Sequence, residues 1–219
     1  MAKSTRMRVP STQLFAAVGI LTGMLAIGGC ASMSESECRA SDWRTVGYED
    51  GVAGYSGNRI GEHRKACAEH GITPDLAEYQ LGRDQGLREF CKPQNGFRIG
   101  TRGVSYNGVC PAELDQTFLD AYHSGRQLYT LRARVDSAAQ QISSMRSELD
   151  RIDSELANVA VQILDTSLTK ERRAQLLLDS KRMAERKGEL KARIPQLEHD
   201  LIEYRHELDE YRLTLNYVE

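Results

Sequence analysis

Apolar residues recur in alternating steps of three and four along the C-terminal part of the chain. One run extends without a break from Leu128 to Ile163, and a second with the same rhythm extends from Leu176 to Val218. This spacing places apolar side chains on one stripe of a helix and is typical of a left-handed coiled coil. The pattern therefore predicts two long helices, each of which needs a partner for one apolar face.

A short polar segment, Asp165-Thr166-Ser167, separates two runs of comparable length. A tight turn there favours an antiparallel helical hairpin over residues 128–219, because each helix can bury its stripe on the other. Folded back from a turn near residue 167, the second helix would place residue 206 beside Leu128. Its last dozen residues would then reach the preceding domain. Homo-oligomer formation through the same stripes is the alternative.

Two features interrupt the second run. Ser180 and Lys187 occupy positions in the apolar stripe, where a polar residue weakens the interface but can fix its register. Pro195 removes one helix hydrogen bond and clashes with the preceding turn, at a cost of about 3 kcal/mol. We expect a kink near Lys191, with a break of the helix there as the alternative.

A different apolar segment lies near the amino terminus. Basic residues at Lys3, Arg6 and Arg8 precede an apolar stretch over residues 14–27, and small residues then lead to Cys30. The stretch is shorter than the roughly 20 residues that a transmembrane helix needs. A basic start, an apolar stretch and small residues in this order are typical of a signal peptide.

This segment resembles the signal peptides of bacterial lipoproteins. The resemblance implies cleavage after residue 29, a diacylglyceryl group on the thiol of Cys30, and acylation of its amine by a fatty acid such as palmitate. Several acyl chains give stable membrane anchoring. The residues that follow Cys30 lack the aspartate that favours the inner membrane, so the resemblance implies the outer membrane. The protein would face the periplasm beyond a polar linker, residues 30–37.

Charge argues against one class of partner. Removal of residues 1–29 takes away three basic residues and no acidic ones, which leaves 26 basic against 31 acidic residues and a net charge of −5. A mildly acidic surface has no general attraction for phosphate backbones, and the sequence contains no basic stripe. We therefore expect no nucleic-acid partner.

Cysteine content separates residues 38–127 from the helical arm. Four cysteines lie in this segment, Cys38, Cys67, Cys91 and Cys110, and the last 109 residues contain none. An even set in an oxidising compartment predicts two disulfides, which would staple a domain too small for a large core. Of three possible connectivities, antiparallel packing of the first two helices favours Cys38 with Cys67. Cys91 and Cys110 would then close a loop.

Helical spacing and caps predict three helices in this domain: residues 43–55 after a cap at Asp42, residues 59–70 before Gly71, and a third that starts at Thr73-Pro74. Residues 92–110 contain two Asn-Gly pairs and little helical period. They predict an irregular loop or a small β-hairpin. The expected fold is mainly α: a small disulfide-stapled helical domain followed by a long antiparallel coiled-coil hairpin.

A weak repeat runs through the domain. The segments Tyr79-x-x-Gly82-Arg83 and Tyr122-x-x-Gly125-Arg126 share one pattern. Small residues also recur four apart, at Gly47 and Gly51, Gly82 and Gly86, and Ala121 and Gly125. A glycine inside a helix costs about 1 kcal/mol relative to alanine, and close helix packing is the favoured reason for its use. The alternative is a binding surface for a glycan or peptide, formed by Trp43, Tyr79, Arg83, Tyr122 and Arg126.

The candidate chemistry is sparse. His63, Cys67 and His70 share one helix face and form a weak alternative metal site, but structural zinc usually has four ligands and the sequence supplies no obvious fourth. No nucleophile elbow, phosphate-binding loop or dinucleotide fingerprint is present. We therefore expect no catalytic residues, no metal and no cofactor.

Spaced cysteines, glycines and aromatic residues form one extended pattern in the domain: Cys38, Asp42-Trp43, Gly47, Asp50-Gly51, Gly54-Tyr55, Cys67, Tyr79-x-x-Gly82-Arg83, Gly86-Leu87, Phe90-Cys91 and Gly108-Val109-Cys110-Pro111. This pattern resembles an uncharacterised proteobacterial family of lipoproteins that is catalogued as a domain of unknown function. The resemblance covers about residues 38–130 and implies one domain, but it brings no activity, cofactor or catalytic residue.

These observations favour a non-enzymatic lipoprotein of the cell envelope. It would act as a scaffold or spacer, and it would present a surface that binds an envelope protein or the cell wall. The alternative is a periplasmic metal- or glycan-binding domain that the coiled coil supports.

Overall fold

The computed structural model describes residues 33–215, and all regular structure in this range is helical. The predicted signal peptide, the lipidation site Cys30 and the last stripe residue Val218 lie outside the described residues. The helices are α1 (Glu35–Ala40), α2 (Trp43–Val52), α3 (Arg59–Ala68), α4 (Leu76–Phe90), α5 (Pro93–Thr101), α6 (Ala112–Ile163) and α7 (Lys170–Thr214).

Side-chain caps explain where the first helices begin. The carboxylate of Asp42 accepts a hydrogen bond from the Arg44 amide at 3.1 Å, which confirms the predicted start of α2. Asp75 caps α4 by accepting from two amides, so that helix begins slightly later than Thr73-Pro74 predicts. Gly71 has the positive φ of +69° that suits the turn after α3.

The prediction of a loop or hairpin over residues 92–110 is wrong for its first half. Pro93 occupies the first turn of α5, which continues to Thr101. The first Asn-Gly pair lies inside this helix, because Gly96 packs its backbone against α6 and a turn would forgo that contact. Only the second Asn-Gly pair lies in an irregular segment, where Gly108 has a φ of +66°.

Glycines let α2 and α4 pack backbone against backbone. A Cβ on Gly47 would lie 2.0 Å from the Tyr79 carbonyl oxygen, and one on Gly51 would lie 2.4 Å from that of Arg83. The contacts advance along both helices in the same direction, so α2 and α4 are parallel. The sequence favoured helix packing as the role of these glycines, and the contacts confirm it.

The α5–α6 pair repeats this arrangement. Gly96 meets the carbonyl oxygen of Phe118 and Gly100 meets that of Tyr122, in the same direction along both helices. The equivalent contacts are shifted by 49 residues on the first helix of each pair and by 39 on the second. Residues 43–90 and 92–129 are therefore two copies of one parallel helix pair.

The first helix of each pair is followed by a glycine in a left-handed conformation, and this glycine lies against an aromatic ring of the second helix. Gly54, with a φ of +72°, packs on Phe90, and Gly103, with a φ of +73°, packs on Tyr129. A residue with a Cβ would be strained in this conformation and would also overlap the ring. The two turns therefore need glycine for both reasons.

Two disulfides staple the helix pairs, and the predicted pairing is confirmed. Cys38 bonds Cys67 with a Cα–Cα distance of 5.5 Å, and Cys91 bonds Cys110 at 5.7 Å. Each bond joins the start of one helix pair to the connection that leads into its second helix. Cys38, Cys67 and Cys91 are buried with the surrounding core.

The long helices α6 and α7 form the predicted antiparallel hairpin. Ala138, Ile142, Ile152, Leu190 and Ile194 belong to its buried core. Farther along, Leu128 and Leu208 share a second cluster, which agrees with the predicted neighbourhood of residue 206. The Tyr211 hydroxyl donates to the Ser124 carbonyl at 2.9 Å, so the end of α7 reaches the helix-pair domain as expected.

The predicted interruptions do not end the second helix. Lys187 forms an ion pair with Asp153 across the hairpin, and the Ser180 hydroxyl donates to the Leu177 carbonyl. The helix α7 continues through Pro195 from Lys170 to Thr214 without a break. The helix α6 likewise passes through the predicted boundary between residues 127 and 128. Within residues 33–215, no helix is long and apolar enough to cross a membrane.

Candidate functional site

A buried carboxylate lies at the centre of the first helix pair. Asp50 on α2 is only 7% exposed. Its Oδ2 accepts a hydrogen bond from the Tyr79 hydroxyl at 2.8 Å and lies 2.8 Å from Nε2 of His63. The guanidinium of Arg59 approaches Oδ1 at 3.9 Å. One carboxylate therefore fastens α2 to both α3 and α4.

The side chains around Asp50 bury the cluster within the core of the first helix pair. Tyr79 is 1% exposed, and burial, followed by its hydrogen bond to Asp50, raises its pKa above the ordinary value. The tyrosine hydroxyl therefore keeps its proton and donates a hydrogen bond to the Asp50 carboxylate. The rings of Trp43 and Tyr79 both pack near His63, with centroids 6.3 Å and 6.1 Å from its own. Tyr79 and His63 satisfy Oδ2 of Asp50 inside the core, whereas Nε of Arg59 is buried without a hydrogen-bond partner.

The second helix pair has its own tyrosine contact. The Tyr106 hydroxyl donates to Asp115 at 2.8 Å and accepts the Cys110 amide at 2.8 Å. Burial is the main reason why the pKa of Tyr106 is raised to about 12. This tyrosine secures the loop between α5 and α6 beside the Cys91–Cys110 disulfide.

The structure does not place the five residues of the predicted binding surface in one exposed patch, because two of the rings are in the core. Trp43 is 8% exposed and Tyr79 is 1% exposed. Arg83 reaches the Tyr55 carbonyl at 3.0 Å, while Tyr122 donates to the Val104 carbonyl in the other helix pair. Arg126 lies over the ring of Tyr129. The structure does not bring the five residues together, since each one serves local packing.

Cys67, the central ligand of the weak alternative metal site, is in a disulfide. The sulfur of Cys67 is bonded to Cys38, so it cannot coordinate a metal as a thiolate. His63 faces Asp50, and His70 is exposed beyond the end of α3. Among residues 33–215, no three histidine, cysteine or acidic side chains cluster in a way that could hold a metal ion.

The tip of the hairpin exposes large apolar side chains. Val161 and Leu164 are 71% and 80% exposed, and Leu177 and Leu178 across the turn are 52% and 58% exposed. These four residues are called the tip residues below. Basic residues accompany them on the first turns of α7, at Lys170, Arg172 and Arg173. Exposed apolar side chains gathered at one end of an elongated protein are typical of an interaction surface.

Sequence reasoning missed the Asp50 cluster and the tip residues. A usable indication existed for Asp50, because it stands three residues after Gly47 and one before Gly51, on the side of α2 that the glycines bring into contact. The tip residues carried no such indication. Their exposure follows from the exact position of the turn, which the heptad pattern leaves open by several residues.

Part of the chain matches a known family model. Residues 42–127 match a family model described as "Protein of unknown function (DUF2799)". No curated protein and no solved structure matches the chain. The matched range covers α2 to the base of α6 and leaves out the hairpin. The part of the chain that holds the two glycine-packed helix pairs is thus similar to an uncharacterised family, DUF2799.

Proposed function

We propose that the protein is a non-enzymatic lipoprotein of the cell envelope that acts as a rigid spacer and presents a partner-binding surface at the hairpin tip. The continuity of α6 carries this proposal. One helix of 52 residues supplies both the second helix of the α5–α6 pair and the first arm of the hairpin. The path from Gly125 to Ile163 is about 57 Å long at 1.5 Å per residue. A spacer needs such a connection, because a flexible joint would not hold a fixed distance.

Contacts along the arm support its stiffness. Arg186 forms two hydrogen bonds with Glu148 across the hairpin, at 2.9 Å and 3.0 Å. Arg134 pairs with Glu207 near the base. Exposed ion pairs add little stability one by one, but they favour a single register of the two helices. The apolar core supplies the stability, and the ion pairs fix the alignment.

The two disulfides support placement outside the cytosol. Such bonds persist in oxidising compartments such as the periplasm. In this proposal the lipid on Cys30 holds the protein on the outer membrane, facing the periplasm, and the hairpin projects from the helix-pair domain. The tip residues would contact an envelope protein or the cell wall.

Site-specific photocrosslinking in cells tests the partner surface. A photoreactive residue at Leu164 or Leu178 should yield a discrete adduct with a protein or with cell-wall material. The same residue at Leu213 is a matched control, since this apolar side chain is 88% exposed on the same helix. It lies about 53 Å from Leu178 along α7. Equal adducts at the tip and the control, or none at either, would contradict the proposed role of the tip.

A separate experiment tests the anchor. Cells supplied with labelled palmitate should incorporate the label into the wild-type protein but not into the Cys30→Ala variant. The wild-type protein should fractionate with the outer membrane. A wild-type protein without label would contradict the anchor while leaving the tip experiment interpretable.

A further inference from the structure

A cleft lies where the two helix pairs meet. Its walls come from the end of α2, the end of α4, and α5 with the loop that follows it. The volume is about 340 Å³, near the lower end of the roughly 300–1,000 Å³ typical of ligand sites. Neither the Asp50 cluster nor the tip residues belong to it.

The charge of the cleft is one-sided. Arg98 and Arg102 line it, four residues apart on α5 and its C-terminal end, and no acidic residue is among the lining side chains. Within residues 33–215, neither guanidinium forms an ion pair. The rest of the protein is acidic overall. Two uncompensated arginines in a concave site favour an anion, and a carboxylate matches the planar guanidinium.

One of these arginines is held in position by neutral groups. The Arg98 guanidinium donates to Oδ1 of Asn95 at 2.6 Å, and the Asn95 amide donates to the Phe90 carbonyl at 2.7 Å. The asparagine orients the guanidinium without neutralising it. A ligand anion would thus meet a charge that is already placed, which lowers the entropy cost of binding.

The walls are apolar and partly exposed. Val52 and Val104 are 41% and 45% exposed, and the ring of Tyr55 is 48% exposed at the rim. Arg59 lies 4.8 Å from the Tyr55 ring centroid and Arg83 binds the carbonyl of Tyr55, so this aromatic residue is fixed from two sides. An apolar side chain could bury its surface here.

We propose that this inter-pair cleft binds a peptide segment that carries a carboxylate beside an apolar side chain, such as a peptide C-terminus. The carboxylate would contact Arg98 and Arg102, and the apolar side chain would pack on the walls. The aliphatic rim at Val52 and Val104 favours a peptide over a sugar. The inference goes beyond the proposed function, because the cleft is separate from the hairpin tip and from the anchor.

Two probes that differ only at the C-terminus test the inference. The first is acetyl-Ala-Ala-Ala-Phe with a free carboxylate, and the second is the same peptide as its C-terminal amide. Binding to the purified protein is followed by NMR, through the arginine Nε–H and tyrosine ring signals. We expect the free acid to bind about tenfold more tightly than the amide, a difference of about 1.4 kcal/mol. The shifts should centre on Arg98, Arg102 and Tyr55.

Matched variants separate a carboxylate contact from general charge. Arg98→Gln with Arg102→Gln should weaken the acid about tenfold and leave the amide unchanged. Arg64→Gln with Arg193→Gln removes the same charge from exposed helical positions elsewhere and should change neither. Trp43 fluorescence checks that all variants are folded.

Four results would overturn the inference. The first two are equal binding of the acid and the amide, and undiminished binding of the acid to the Arg98/Arg102 variant. The third is no binding of either probe at about 10 mM, a concentration at which even weak ligands bind. The fourth is tighter binding of N-acetylmuramic acid than of the peptide acid, with shifts in the same NMR signals. The last result would identify a carboxylated sugar as the occupant. None of them bears on crosslinking at the tip or on lipidation.

Discussion

A methyl group added at Gly82 should destabilise the first helix pair strongly. The new Cβ would lie 1.8 Å from the carbonyl oxygen of Arg44 and 2.7 Å from its carbonyl carbon. Both atoms are backbone, so no side chain can rotate away. Restoring a separation of even 3.0 Å requires α2 and α4 to move apart by about 1.2 Å. That movement would also open the neighbouring backbone contacts of Gly47 and Gly51 with α4.

The size of the loss follows from two opposing effects. Overpacking of a well-packed core costs about 1–3 kcal/mol, and more where the backbone must move. Alanine in place of a mid-helix glycine raises the free energy of unfolding by about 1 kcal/mol, because alanine has the higher helix propensity. Because several glycine contacts would be loosened together, we expect the packing cost to exceed the gain in helix propensity. The net loss in the free energy of unfolding should be about 2 kcal/mol or more.

Gly61→Ala is a matched control with the opposite expected sign. Gly61 lies inside α3, and a Cβ there would meet nothing within 4 Å. The same substitution should stabilise the protein by up to about 1 kcal/mol, because only helix propensity changes. The pair of variants therefore separates the backbone contact from the general effect of replacing a glycine in a helix.

Urea titration followed by tryptophan fluorescence measures both effects. Trp43 is the single tryptophan of the chain and is buried in the first helix pair, so its emission reports on this region instead of on the hairpin. The midpoint should fall for Gly82→Ala and rise for Gly61→Ala at an unchanged slope. If Gly82→Ala were as stable as the wild type, the close backbone packing of α2 and α4 would be refuted.

Three further perturbations address other contacts. Tyr79→Phe removes a donor to the buried Asp50 and should cost about 1–3 kcal/mol in the same urea assay, so an unchanged midpoint would contradict the importance of the contact. Replacing both cysteines of the Cys91–Cys110 disulfide by alanine should cost about 3 kcal/mol through the entropy of the unfolded chain, also by urea titration. Lys187→Met exchanges a partly exposed ion pair with Asp153 for apolar contact and should raise the melting temperature of the hairpin in circular dichroism, since such pairs contribute only about 0–1 kcal/mol. A lowered melting temperature would show that the pair matters more than the stripe.

The hairpin and the disulfides could be predicted because each follows from local, repetitive information. An apolar stripe from Leu128 to Ile163 leaves a helix few alternatives to pairing with a similar stripe. The turn then fixes the register to within about one helical turn, which is why Leu208 lies close to the expected neighbour of Leu128. Four cysteines allow only three connectivities, and one antiparallel helix contact selects among them.

The helix α5 could not be predicted because its cause is tertiary. The segment Pro93-Gln94-Asn95-Gly96 has the composition of a turn, and glycine lowers helix propensity. The helix forms because Gly96 and Gly100 allow its backbone to lie directly against α6. The energy of this contact is invisible in the local sequence, and the same glycines that argue against a helix are what permit its packing.

In the repeat, the residues that match best in sequence are not the residues that occupy equivalent positions in the structure. The best match of residue types pairs Tyr79 with Tyr122, yet the contacts pair Tyr79 with Phe118, one helical turn earlier. Small residues spaced by four stay on the same face when a helix is shifted by one turn, so the sequence accepts either register. Backbone contacts decide it, and they make Ala121 the counterpart of Gly82. The second pair accommodates the methyl group of Ala121 because its two helices are farther apart near this position. A Cβ on Gly96 would lie 2.6 Å from the Phe118 carbonyl oxygen, whereas a Cβ on Gly47 in the first pair would lie 2.0 Å from the Tyr79 carbonyl oxygen.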